Sequence, residues 1–172
     1  VADVSGPVAT IHLGALRHNT LDMSVRAGGV PIRVASKSVR VRGVVDAVLA
    51  VPGYHGILAF TLPEALWLAE THSDVVLGYP SVDRAALAGL THDERAAQQI
   101  TLMVDDIAQL DLVDAIAPAG RRATIRVAID ADASWRAPGL GHIGVRRSPV
   151  HAAGEVATLA RQIVARPGFQ LV

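Results

Sequence analysis

The chain has 172 residues, with 16 basic and 16 acidic side chains and so no formal net charge. That balance excludes a basic nucleic-acid arm and an electrostatic membrane binder, and the lack of cysteine excludes a disulfide scaffold, a thiolate metal site and a cysteine nucleophile. Hydrophobic residues make up 51% but aromatic ones only 3%, so Ala, Val, Leu and Ile must build the core, which suits an α/β interior better than a base-stacking platform.

In chain order, Val1-Ala2-Asp3 carries no charged or apolar leader, and no stretch reaches the roughly 18 apolar residues that span a bilayer. A cytoplasmic protein is expected. Ala9 to Leu13 reads as a short strand leading into a helix through Leu16, Asn19, Leu21 and Val25. Short Val/Ile-rich runs then recur at Ile32 to Ser36, Gly56 to Phe60, Asp74 to Tyr79, Ile100 to Val104, Thr124 to Asp130 and Phe169 to Val172. They do not alternate in polarity, as expected of parallel strands buried on both faces.

Helix starts lie between them. Thr61 is placed to cap a helix with Pro63 and Glu64 in its first turn. Ser81-Val82-Asp83 opens another, and Asp105 or Asp106 caps the segment burying Ile107, Leu110, Val113 and Ala117. Ser148-Pro149 precedes a last helix with Val156, Leu159, Ile163 and Val164 in one stripe. The pairs Arg121-Arg122 and Arg146-Arg147 read as solvated loop residues.

Strand and helix alternate, so the class is α/β. The first strand-to-helix turn, Ala35-Ser36-Lys37-Ser38, lacks the glycines of a doubly wound sheet. A (β/α)8 TIM-type barrel takes about 250 residues. About five βα units and the start of a sixth strand fit this chain at the same pace, so residues 1–172 are expected to be the N-terminal portion of such a barrel, incomplete here and part of a longer polypeptide. Unclosed, it would leave two strand edges unpaired.

Of the 16 basic residues only Lys37 is a lysine. It stands at the C-terminal end of the first core strand, the end where α/β barrels build their chemistry. A guanidinium stays protonated, whereas an ε-amine can lose its proton and attack a carbonyl. Position alone leaves open whether the carbonyl belongs to a substrate or to pyridoxal phosphate.

Several segments in order resemble one family. They are Ile11-His12-Leu13 with Ala15-Leu16-Arg17-His18-Asn19, Ile32 to Arg40, Phe60-Thr61-Leu62-Pro63-Glu64-Ala65, Leu77-Gly78-Tyr79-Pro80, Leu102-Met103-Val104-Asp105, and Ala128-Ile129-Asp130-Ala131-Asp132 followed by Arg136 and His142-Ile143-Gly144-Val145. Together they resemble the N-terminal barrel of the alanine-racemase-like pyridoxal-phosphate enzymes, in the D-threonine aldolase and D-serine dehydratase (amino acid deaminase/aldolase) branch. The resemblance implies that Lys37 holds pyridoxal 5'-phosphate as a Schiff base. It implies an arginine after the fifth strand on the cofactor's phenolic oxygen. Arg136 is one candidate, and His142 occupies the spacing two residues before Gly144. Tyr79, at the end of the third strand, is a further candidate on the cofactor.

The resemblance further implies a PLP-dependent lyase acting on a D-amino acid with a β-hydroxyl, by retro-aldol cleavage or by deamination. Lys37 would shuttle protons on one face, a role favoured by its apolar neighbours Val34, Ala35 and Val39 and by Arg33 or Arg40 nearby. The rest of the barrel and a C-terminal β domain would lie outside this chain, with any divalent metal held by residues there, and the parent protein would be a homodimer. A racemase and a non-catalytic pyridoxal-phosphate-homeostasis barrel are the alternatives. By itself this stretch is expected to be inactive.

Other patterns carry less. Gly139 to Gly144 spells G-x-G-x-x-G, but Ala131 to Pro138 separate it from the strand before it, so it is read as loop glycines. Asp130-Ala131-Asp132 carries two carboxylates that could hold a divalent metal, but the pair alone is set aside as a metal site. The histidines show no zinc-binding spacing, and no G-x-S-x-G elbow exists.

Overall fold

The computed structural model describes residues 6–172. Its strands are β1 (Ile32–Ala35), β2 (Tyr54–Ala59), β3 (Val75–Leu77), β4 (Ile100–Val104), β5 (Ile125–Ile129), β6 (Trp135–Ala137), β7 (Gly141–Ile143) and β8 (Phe169–Leu171). Its helices are α1 (Leu13–Arg26), α2 (Ser36–Val39), α3 (Arg42–Leu49), α4 (Leu62–Ala69), α5 (Arg84–His92), α6 (Glu94–Gln99), α7 (Ile107–Ile116) and α8 (Ala153–Val164). Six strands form one sheet in the order β1-β2-β3-β4-β5-β8, all parallel. Each strand therefore pairs with the next one added to the sheet, the order of the first part of a (β/α)8 barrel.

The six expected core strands are all present, and apart from the buried Thr101 side-chain burial along them has a period of two. Val75 and Leu77, then Ile100, Leu102 and Val104, then Ile125 and Val127 are buried, whereas Leu58, Val76, Met103 and Ala128 between other such positions are only half-buried. One face of the sheet thus carries the core, against Leu62, Leu68, Leu87, Leu90, Leu110, Leu159 and Ile163 of the helices. The expectation of equal burial on both faces is not met, because the helices cover one side and the other is the inner face of the barrel wall. Each large side chain buried there stabilises the fold by about 1.5–3 kcal/mol.

The helix starts follow the capping residues. Thr61 Oγ1 accepts from Glu64 N at 3.3 Å, Asp83 from Ala86 N at 3.0 Å, and Asp106 from Ala108 N at 2.8 Å. These side chains satisfy N–H groups left unpaired in a first turn. Glu155 does so from inside α8, where its Oε2 accepts from His151 N and Ala152 N, each at 2.9 Å.

Three sequence expectations are corrected. Ala9 to His12 form no strand, since no neighbour pairs with them; His12 instead caps α1, its Nδ1 accepting from Ala15 N at 3.0 Å. The segment from Trp135 to Ile143 is not plain loop but the antiparallel hairpin β6–β7, whose turn residues Gly139 and Gly141 have φ of +78° and +74°. Arg122 is not solvated. Its side chain is 0% exposed and donates to Asp114 Oδ1 at 2.7 Å, to Ala117 O at 2.9 Å and to Gly168 O, with its guanidinium 4.3 Å from the Phe169 ring.

Candidate functional site

The C-terminal ends of β1, β2, β3 and β5 bring one cluster together. At the end of β1 the chain turns at once into the single turn of α2, which puts Ser36 inward and Lys37 along the rim. Ser36 is 2% exposed. Its Oγ donates to Glu64 Oε1 at 2.8 Å, with Leu58 O at 3.2 Å, and Glu64 Oε2 accepts from Phe60 N at 2.8 Å. One carboxylate thus ties the β1–α2 turn to the β2–α4 turn. Arg40 closes the turn in the left-handed region, φ +52°, with its Nε donating to Lys37 O at 3.1 Å.

Lys37 is half-buried, and its Nζ donates to the Tyr79 hydroxyl at 2.8 Å while lying 4.9 Å from the Tyr79 ring centre. Tyr79 follows Gly78 at the end of β3. A Cβ on Gly78 would stand 3.1 Å from Ala59 O and 3.3 Å from Leu58 Cδ1, so glycine permits the close approach to β2 that delivers the tyrosine. Phe60 meets Tyr79 edge-on, with centroids 5.5 Å apart and planes at 89°.

Arg147 covers Tyr79 as well, its guanidinium carbon 4.5 Å from the ring centre. Its Nε lies 2.9 Å from each oxygen of Asp130, and a terminal nitrogen donates to Gly78 O. Asp130, just past β5, is 6% exposed and its backbone N–H continues the ladder to Val104 O at 2.8 Å. The Asp130 hydrogen bonds hold the Arg147 guanidinium charged more firmly than usual, against the opposing effect of burial. The Lys37 hydrogen bond and charge lower the Tyr79 phenol below its ordinary value of 10.0, with a smaller contribution from Arg147.

The structure thus brings Lys37 and Tyr79 into contact and places the other two named candidates elsewhere. Arg136 and His142 face each other across the β6–β7 hairpin. Arg136 is exposed and lines a cleft of about 430 Å³ that it shares with Asp132, Arg146, Arg147 and His151. His142 Nε2 contacts Gly144 O at 3.0 Å, and its Nδ1 is enclosed without a partner. Asp132 is committed to the Ser134 hydroxyl and to Ser134 N at 2.9 Å. Among the described residues no group of three or more His, Asp or Glu side chains is placed to hold a metal.

Sequence reasoning took Arg147 for a solvated charge, yet it sits on the site. The signal was Asp130: a carboxylate at the end of a buried run needs a cation. Which arginine answers it is a matter of packing, and Arg147 lies 17 residues further on. Arg146, its neighbour, lines the cleft without an ion pair or hydrogen bond among the described residues.

These residues fit an aldehyde cofactor with an anionic group. The chain's one lysine lies at the rim beside a phenol, and Arg147, which covers that phenol, also lines a cleft with two further guanidinium groups and a volume in the range of small-molecule sites.

A six-stranded parallel α/β sheet with this rim defines a barrel-type fold with an amine at its mouth. Comparison with known proteins makes the assignment specific: the chain belongs to the alanine racemase N-terminal domain family, whose model matches residues 11–171. Among solved structures it is similar to D-threonine aldolase from Filomicrobium marinum, with 20% identity and a TM-score of 0.69 over 93% of this chain and 41% of that one. It is also similar to alanine racemase from E. faecalis, with 15% identity and a TM-score of 0.67 over 94% of this chain and 41% of that one. Alanine racemase from Corynebacterium glutamicum gives 22% identity and a TM-score of 0.59 over 92% and 42%. The chain thus spans about two fifths of the length of these structures. No curated protein matches it. Among the described residues no helix is long and apolar enough to cross a membrane.

Proposed function

We propose that this chain is the lysine-bearing part of a pyridoxal-phosphate enzyme acting on D-amino acids, a lyase that cleaves or deaminates a β-hydroxy amino acid. The observation that carries it is the placement of Lys37. The chain's one amine lies at the C-terminal rim of a parallel barrel wall, held by Tyr79 and flanked by Arg147.

Pyridoxal phosphate, when bound, supplies an aldehyde for the amine and an electron sink for a carbanion at Cα. The chain's residues do the rest. Lys37 Nζ would hold the aldehyde carbon and, when released, would hold or move a proton at Cα of the amino acid. Ser36 and Glu64 fix the turn that aims it. Arg147, held by Asp130, keeps a positive charge at the rim for a phenolic or carboxylate oxygen. Arg136, which lines the cleft, would offer a second positive charge to the phosphate or to the substrate carboxylate, with His142 paired to it across the hairpin. The D-threonine aldolase fold similarity supports the lyase reading. The alanine racemase similarities support a second, in which the same lysine moves a proton at Cα without breaking Cα–Cβ. The parent protein acts as a homodimer in both.

The test mixes the 172-residue chain with pyridoxal phosphate, records the imine absorbance, reduces with borohydride and locates the adduct by peptide mass spectrometry. The adduct is expected on Lys37 and is lost in Lys37→Ala. No absorbance, or an adduct only on the chain's α-amine, would refute the reading. Adding D-threonine or D-alanine to the full-length protein separates lyase from racemase by the appearance of an aldehyde.

A further inference from the structure

The Tyr79 phenol does more than line the rim. It accepts the Lys37 Nζ hydrogen bond at 2.8 Å and has two cations near its ring centre, Lys37 at 4.9 Å and Arg147 at 4.5 Å. Phe60 closes its edge. Lys37 is its principal hydrogen-bond partner, with Arg147 as a lesser one.

We propose that Tyr79 is the acid–base partner of Lys37: its phenolic oxygen takes a proton from the ε-nitrogen as that nitrogen bonds to an aldehyde carbon, and gives it to the aldehyde oxygen. The balance is complete within the pair. Nitrogen forms two bonds to carbon and loses two protons; the carbonyl oxygen leaves as water with both, one of them by way of Tyr79; no oxidant or reductant is involved. The inference rests on the assignment of Lys37 as the aldehyde-capturing amine, and it adds the group that moves the proton.

Three features support the role. The contact is direct, so no water is needed to carry the proton. Lys37 and Arg147 both stabilise the phenolate, and the phenol is accordingly lowered from its ordinary value, which brings its basic form closer to neutral pH. The surrounding charges are few and committed: Arg147 is paired with Asp130, Glu64 is tied to Ser36 and Phe60 N, and Arg40 is on the Lys37 carbonyl. Asp83, across the small cleft that Tyr79 and Phe60 line, caps α5. Lys37 therefore has Tyr79 as its proton acceptor within hydrogen-bonding distance.

The chain's single lysine makes the test clean, because every ε-amine product is Lys37. Two reagents are compared on the wild type and on Tyr79→Phe, which keeps the ring between Phe60 and Arg147. Formaldehyde with cyanoborohydride requires an imine to form, hence a proton delivered to the departing oxygen. Acetic anhydride reports only access and the neutral fraction of the amine. Both rates are read from the Lys37 peptide by mass spectrometry across a pH series, with circular dichroism confirming the fold. General acid–base partners contribute about 10²–10⁴-fold, so Tyr79→Phe is expected to slow methylation at least about tenfold relative to acetylation. It should also remove from the methylation profile the inflection contributed by the phenol. Equal changes with both reagents, or no change, would overturn the proposal. Formaldehyde needs no cofactor pocket, so a failure of pyridoxal phosphate to bind would count against the function proposed above and leave this result standing.

Discussion

Removing either partner of the Arg147–Asp130 pair should have unequal consequences. Asp130 is 6% exposed and both its oxygens lie 2.9 Å from Arg147 Nε, with no other hydrogen-bond donor to them among the described residues. Arg147→Ala leaves that carboxylate buried and unpaired. Breaking a buried pair costs about 3–5 kcal/mol and a charged hydrogen bond is worth about 1.5–3 kcal/mol. The Arg147 side chain is 37% exposed, so water screens part of the loss. The lower part of the range applies, about 2 kcal/mol. Asp130→Ala leaves Arg147 with the Gly78 carbonyl, the Tyr79 ring and solvent, and should cost about 1 kcal/mol. With a urea slope of about 2 kcal/mol per molar, the midpoints fall by about 1 M and about 0.5 M. Urea unfolding followed by circular dichroism measures both, and the double variant gives the coupling. An Asp130→Ala loss equal to or larger than that of Arg147→Ala would refute the reasoning, since it would mean that the carboxylate is not stranded.

Further expectations follow from single positions. Leu90, 0% exposed between the helices and the sheet, should lose about 2–5 kcal/mol on replacement by Ala in the same assay. Gly56 has φ +72°, and a Cβ there would stand 2.6 Å from Asp74 Oδ2 and 2.7 Å from Asp74 O, against the Arg33 guanidinium. Gly56→Ala should therefore cost more than about 1 kcal/mol, whereas Gly43→Ala, with open space around it, should not destabilise. The Ser134 hydroxyl, and after it the Ser134 N–H, hold the Asp132 carboxyl below its ordinary 3.8. Because the folded value is the lower one, its contribution is full above 3.8 and is lost as pH falls through the folded value. The stability gap between wild type and Asp132→Ala should stay constant from neutral pH down to about 3.8 and then close as pH falls to the lower folded value, as urea midpoints over a pH series would show.

Much was legible in the chain alone. Apolar runs and capping residues are local signals, because a strand or a helix turn is specified by residues a few positions apart. Hence Ile100 to Val104 is a strand to the residue, Thr61, Asp83 and Asp106 cap where expected, and Lys37 stands at a strand end. The order of strands in the sheet also follows, since each short crossover leaves the next parallel strand only a neighbouring place.

The tertiary structure alone decided what surrounds Lys37. Arg147 reads in sequence like Arg146, one solvated charge beside another, but one caps Asp130, Tyr79 and a carbonyl 69 residues back while the other lines the cleft. Arg121 and Arg122 divide the same way, the second enclosed against Asp114 and Phe169. Ala9 to His12 has strand-like residues and no strand, because a ladder needs a partner and none runs beside it among the described residues. Periodicity says which side of an element is apolar; which charged side chain ends up buried against which carboxylate depends on how distant turns meet at the rim, and that distance is set by packing.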